Sequence, residues 1–133
     1  RIHIVSRIAA ICNHFDSECQ EPVLGGGRQS PVQTLYNMQY SVYKGWFDPV
    51  VEAEFYASVP SFPPGSHVRL SNRQEAAVAS FSPRCPCQPK VLLLSDPTGL
   101  ALPLNQVEEI DLSDHPELHI REYEGQYVAK YIY

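Results

Sequence analysis

The segment at residues 46–66, WFDPVVEAEFYASVPSFPPGS, leaves this chain few ways to fold. Asp48 is a helix N-cap by type, and Pro49 behind it sits at the first helical position, where a missing N–H costs nothing. Val51, Phe55 and Val59 then recur on one helical face, and Pro60 ends the run. Pro63 and Pro64 restrict φ while Gly65 accepts a positive φ, so the chain turns sharply there. It then enters SHVRLSN, whose alternation of apolar and polar residues reads as a strand. A helix thus delivers the chain directly into a sheet.

Upstream, RIHIVSRIAAICNHFDSE has a helical pattern, with Ile4, Ile8, Ile11 and Phe15 on one face and Ser6, Arg7, Asn13 and His14 on another. Ser30 and Pro31 start a second helix, with Gln33 placed to complete a capping box and Gly45 closing it just after Lys44. Leu35, Met38 and Val42 form its core stripe, and Tyr36, Tyr40 and Tyr43 a second stripe at the same spacing. Half-buried rings with surface hydroxyls are the common fate of such tyrosines, and no basic residues accompany them as base stacking would require. After Pro64 the pattern changes to short strands: HVRLS, EAAVASFS and KVLLLS, with one more at 107–112 and an acidic tail. The aromatic residues ending the chain point to a docked tail rather than a disordered one. The expected fold is therefore α+β: about three helices in residues 1–62, then a small antiparallel β module with its acidic tail in residues 63–133.

Charge narrows the function. Acids and bases balance up to Pro103, so the whole formal charge of −5 lies in the last thirty residues, where seven acids face only Arg121 and Lys130. No basic stripe exists to hold nucleic acid or an anionic membrane, and neither is an expected partner. The longest apolar stretches, such as VLLL at 91–94, are far too short to span a bilayer, and the N-terminus lacks the order of a signal peptide. A cytoplasmic location is expected. The chain opens at Arg1, already in helical pattern, like a piece of something longer.

Four cysteines, Cys12, Cys19, Cys85 and Cys87, read as free thiols in that setting. Cys85-Pro86-Cys87 supplies two of the four ligands that structural zinc takes, leaving His67 or His115 to complete a set. Loop thiols are the simpler reading. Gly25, Gly26 and Gly27 beside Arg28 offer backbone amides to a phosphate, but the strand, lysine and helix of a phosphate loop are missing, so a plain connection is favoured.

Several of these motifs together resemble the C-terminal portion of the HD-GYP domain, a family of bacterial metal-dependent phosphohydrolases that cleave cyclic di-GMP. The similar residues are Arg7-Ile8-Ala9-Ala10-Ile11-Cys12-Asn13-His14-Phe15-Asp16, Ser30-Pro31 through Leu35 and Met38, and Phe47-Asp48-Pro49. Phe62-Pro63-Pro64-Gly65-Ser66, Val68, Leu70-Ser71 and Pro89-Lys90-Val91 extend the likeness over roughly residues 1 to 100. The family's His-Asp pair, its other metal-binding histidines and its Gly-Tyr-Pro signature lie upstream of such a segment and do not occur in this sequence.

The resemblance implies a site in which this chain forms one wall. Asn13 stands at a metal-ligand position where the family has aspartate, so a neutral carbonyl oxygen replaces a carboxylate. It further implies that Arg28 contacts a substrate phosphate, and that Asp16, Asp48, Pro64 and Gly65 are structural. His14, alone on a polar helix face, reads as a surface histidine. No cofactor is expected on this chain by itself; divalent iron or manganese belongs to the intact domain, as does the cyclic dinucleotide substrate. The expectation is thus a phosphodiesterase fragment, inactive without its upstream half. The alternative is a degenerate, non-catalytic module in cyclic-dinucleotide signalling that contacts a protein partner through its tyrosines and acidic tail.

Overall fold

A computed structural model describes residues 3–22, 27–40 and 47–133. Among these, three helices precede six strands, the α+β order expected: α1 (Ile4–Cys19), α2 (Pro31–Tyr40), α3 (Pro49–Ser58), β1 (His67–Leu70), β2 (Glu75–Ser80), β3 (Lys90–Leu93), β4 (Glu108–Asp111), β5 (Ile120–Tyr123) and β6 (Gln126–Tyr127). The readings made for Gly25, Gly26, Val42, Tyr43, Lys44, Gly45 and Trp46 fall outside the described residues.

Local chemistry sets the helix starts. Asp48 Oδ1 accepts hydrogen bonds from the amides of Val50 at 3.0 Å and Val51 at 3.2 Å, satisfying donors that the first turn cannot. Ser30 Oγ does the same for the Gln33 amide at 3.3 Å. At the other end of α3, Gly65 adopts φ +89°, and the Ser66 amide bonds to the Pro63 carbonyl at 3.1 Å. That is the turn in which a proline precedes a residue needing positive φ. The Gly65 amide then reaches the Val78 carbonyl at 2.8 Å, locking the turn onto β2.

The sheet is antiparallel throughout, in the order β4-β3-β2-β1-β5-β6. Strands β1 to β4 run as a meander, after which the chain crosses back to place β5 beside β1. Alternation sends Val68, Leu70, Ala76, Val78, Val91 and Leu93 to a buried face and leaves His67 and Arg69 exposed on the other. Phe62 and Val32 are fully buried against that inner face, so α2 belongs to the sheet core through Val32. Through Met38 it also belongs to a second core with Ile11 of α1 and Val51 of α3. Helix α2 is the hinge pin between the two.

The acidic tail expected beyond residue 112 is instead part of the sheet. Ile120 is fully buried and Val128 nearly so, while Glu122 of β5 and Glu124 of the turn between β5 and β6 stay on the outer side. The final residues dock, as their aromatic character implied. Tyr131 packs edge-to-face on Tyr36 with centroids 5.6 Å apart, and Tyr133 lies 6.0 Å from Tyr40. The hydroxyls of Tyr133 and Ser61 share a hydrogen bond of 2.5 Å. Tyr36 and Tyr40 of the α2 stripe thus meet the chain's own C-terminus, with Tyr40 still 57% exposed.

Candidate functional site

Helix α1 carries the residues that the sequence singled out, and its two sides are treated differently. The His3 ring accepts from the Val5 amide at 3.1 Å and caps the helix. Ile11 is fully buried and Phe15 meets Phe55 edge-to-face at 5.4 Å, so the predicted apolar stripe does face the helical core. Its first two members do not complete the burial: Ile4 is 51% and Ile8 47% exposed, with Val5 beside them at 63%.

Asn13 and Asp16 are three residues apart, share one face of α1 and are both exposed. Ala9, Ala10 and Ser17, also exposed, share that side. The result is an open helix face of small and polar side chains bordered by exposed aliphatic ones. Arg7 lies toward the packed side, where its Nη1 donates to Asp48 Oδ2 at 2.8 Å. Asp48 therefore uses one oxygen to cap α3 and the other to tie α3 to α1, a double role that its N-cap signature alone did not disclose. His14 packs its ring 5.3 Å from Phe47, and its Nε2 is 3.8 Å from a Glu18 carboxylate oxygen one turn on. Its surroundings are those of a packed histidine.

Arg28 is exposed and sits in a different environment. Its carbonyl accepts from Gln126 Nε2 at 2.6 Å, and a β-bridge with Pro22 closes the connection between α1 and α2. Gly27, at φ +80°, holds a conformation that L side chains rarely adopt, and a Cβ there would lie 3.1 Å from the same Gln126 amide nitrogen. No hydrogen bond or ion pair joins Asn13, Asp16 and Arg28 to one another among the described residues. Nor do three histidine, cysteine or acidic side chains converge anywhere among those residues in a way that would hold a metal ion. Asn13 and Asp16 offer two oxygen donors, too few for a hard divalent cation, so this chain's residues do not by themselves fit such a centre.

The Cys85-Pro86-Cys87 motif behaves as loop and core. Cys87 is 2% exposed, and burial pushes its thiol up to about 11. Cys19 is likewise raised by burial, and its Sγ donates to Thr34 Oγ1 at 3.5 Å. All four cysteines are free thiols. Among the described residues no helix is long and apolar enough to cross a membrane.

Residues 67–126, from the start of β1 to the first residue of β6, match the family model described as a KOW domain associated with HD domain. That match covers the β module and is consistent with an HD-domain-associated protein. No curated protein and no solved structure shows a significant match to the chain.

Proposed function

We propose that this chain is the C-terminal part of an HD-type metal-dependent phosphohydrolase of the HD-GYP kind, which hydrolyses cyclic di-GMP when joined to an upstream half bearing the His-Asp pair. The observation that carries this reading is the KOW match of the β module to a domain associated with HD domains, directly preceded by three helices. The open face of α1 supports it. Small residues such as Ala9 and Ala10 let a neighbouring helix approach closely, and Ile4, Val5 and Ile8 supply apolar area for it to cover. Covering that face would bring Asn13 and Asp16 into the new interface.

Here the chain's own contribution is positional. Arg7 and Asp48 hold α1 against α3, and Asn13 presents a neutral oxygen donor to the joined domain. The reaction of that joined protein is metal-dependent hydrolysis of a phosphodiester, with the ligands supplied by the upstream half. The test compares cyclic di-GMP hydrolysis in manganese or ferrous iron by the chain alone and by the chain fused to an HD-bearing half. The expected result is turnover by the fusion only. Robust turnover by the isolated chain overturns the division of labour. A folded, metal-loaded fusion without turnover favours the non-catalytic interaction module instead.

A further inference from the structure

Two irregularities of the backbone in the β module each deliver an arginine to the same place. The turn between β1 and β2 closes with the Arg73 amide bonded to the Leu70 carbonyl at 3.0 Å and the Leu70 amide bonded to the Gln74 carbonyl at 2.9 Å. The last loop position in such a hairpin is left-handed and normally glycine. Here it is Arg73, at φ +76°. A long side chain in that conformation is disfavoured, and its presence points to a use for the side chain.

The second irregularity is a bulge between β1 and β5. Arg69 pairs with Glu122 and Leu70 with Ile120, so Arg121 is an extra residue with no partner of its own. Ile120 and Tyr123 are turned to the core, which leaves Arg121 and Glu122 both directed outward, alongside Arg69. Without the bulge, alternation would carry one of that pair inward.

These residues line an open pocket of about 470 Å³ together with Glu75, Thr98 and Gly99 of the 96–99 turn. Arg69 is engaged, at 3.5 Å from Glu75 and 3.4 Å from Glu122. Arg73 and Arg121 have no ion pair among the described residues; Arg121 only lies 5.9 Å from the centre of the Tyr127 ring. The pocket therefore holds an excess positive charge in a chain of net charge −5.

We propose that this pocket binds the phosphate group of a small phosphorylated ligand. Arg73 and Arg121 grip the phosphate oxygens, since guanidinium forks match that geometry. Glu75 and Glu122 accept hydrogen bonds from hydroxyl or amino groups on the rest of the ligand. Carboxylates flanking the arginines, and the absence of a basic stripe in the sequence, disfavour an extended polyanion. The site lies in the β module and does not depend on the hydrolase reading.

The test titrates the full chain with AMP, with adenosine as the uncharged control, following backbone amide shifts and heat of binding. AMP should give saturable shifts at Arg73, Thr98, Gly99 and Arg121, and adenosine none. Arg73→Gly should weaken AMP about tenfold or more. Because glycine suits the left-handed position, the same substitution should raise the thermal midpoint, separating lost binding from lost fold. Arg121→Gln should weaken AMP comparably. The proposal is overturned by the absence of a saturable AMP response, by undiminished affinity in either variant, or by single-stranded RNA binding far more tightly than AMP with a steep salt dependence.

Discussion

Asp48 shows how much one side chain can hold. Its two carboxylate oxygens answer to different elements, one capping α3 through the Val50 and Val51 amides and the other accepting from Arg7 of α1. Loss of an N-cap of this type costs about 1–2 kcal/mol, and the partly exposed ion pair adds a fraction of that. Asp48→Ala should therefore lower the urea-derived stability by about 1–2 kcal/mol, whereas Asp48→Asn, which keeps a capping oxygen, should lose less. Equal losses in the two variants would mean that the charge, and not the cap, is what matters. The cap was legible from Asp48-Pro49 because it is settled within four residues. The Arg7 contact was not, since it joins positions far apart in sequence.

At the scale of elements, the C-terminal segment is held to the sheet by groups that must stay neutral. Cys87 lies in the loop between β2 and β3, and burial lifts its thiol from 9.0 to about 11. Burial likewise lifts the Tyr133 hydroxyl from 10.0 to about 12, and the neighbouring Cys87 adds to the rise. For both groups the unfolded chain loses its proton first as pH rises. The stability they protect is full below about pH 9 and falls progressively as pH climbs from there toward their folded-state values. Thermal midpoints measured between pH 8 and about pH 11 should fall in the native chain and fall less in Cys87→Ala with Tyr133→Phe. An unchanged slope in the double variant would place the alkaline loss elsewhere.

The same region marks where sequence reading ran out. Strands β1 to β3 were visible as alternation in HVRLS, EAAVASFS and KVLLLS, and Pro64-Gly65 announced the turn before them. Strands β5 and β6 were hidden because Glu122 in β5 and Glu124 in the turn between them stand among many other acids, which reads as a solvated tail. Arg121 was equally hidden, because a bulge is decided by the pairing strand and not by the residue itself. Arg73 did leave a trace: the Asn72-Arg73-Gln74 turn lacks the glycine that its left-handed position favours.

At the scale of the molecule, two small cores among the described residues share α2, and only one of these is closed. The sheet core is sealed by Phe62, Val128 and the docked tyrosines. The helical core, built on Ile11, Met38 and Val51, leaves Ile4 and Ile8 of the α1 stripe about half exposed. A helical stripe was predictable from spacing; that its first two turns would lack a cover depends on what packs against them, which no periodicity records. The proposed HD-bearing half, if joined upstream, would cover this face. Amide hydrogen exchange in α1 tests that directly, in the chain alone and in the chain fused to such a half. The account predicts that amides from Ile8 to Asp16 exchange roughly tenfold or more slowly in the fusion, with the sheet unchanged. Equal exchange in α1 in a folded fusion would contradict it.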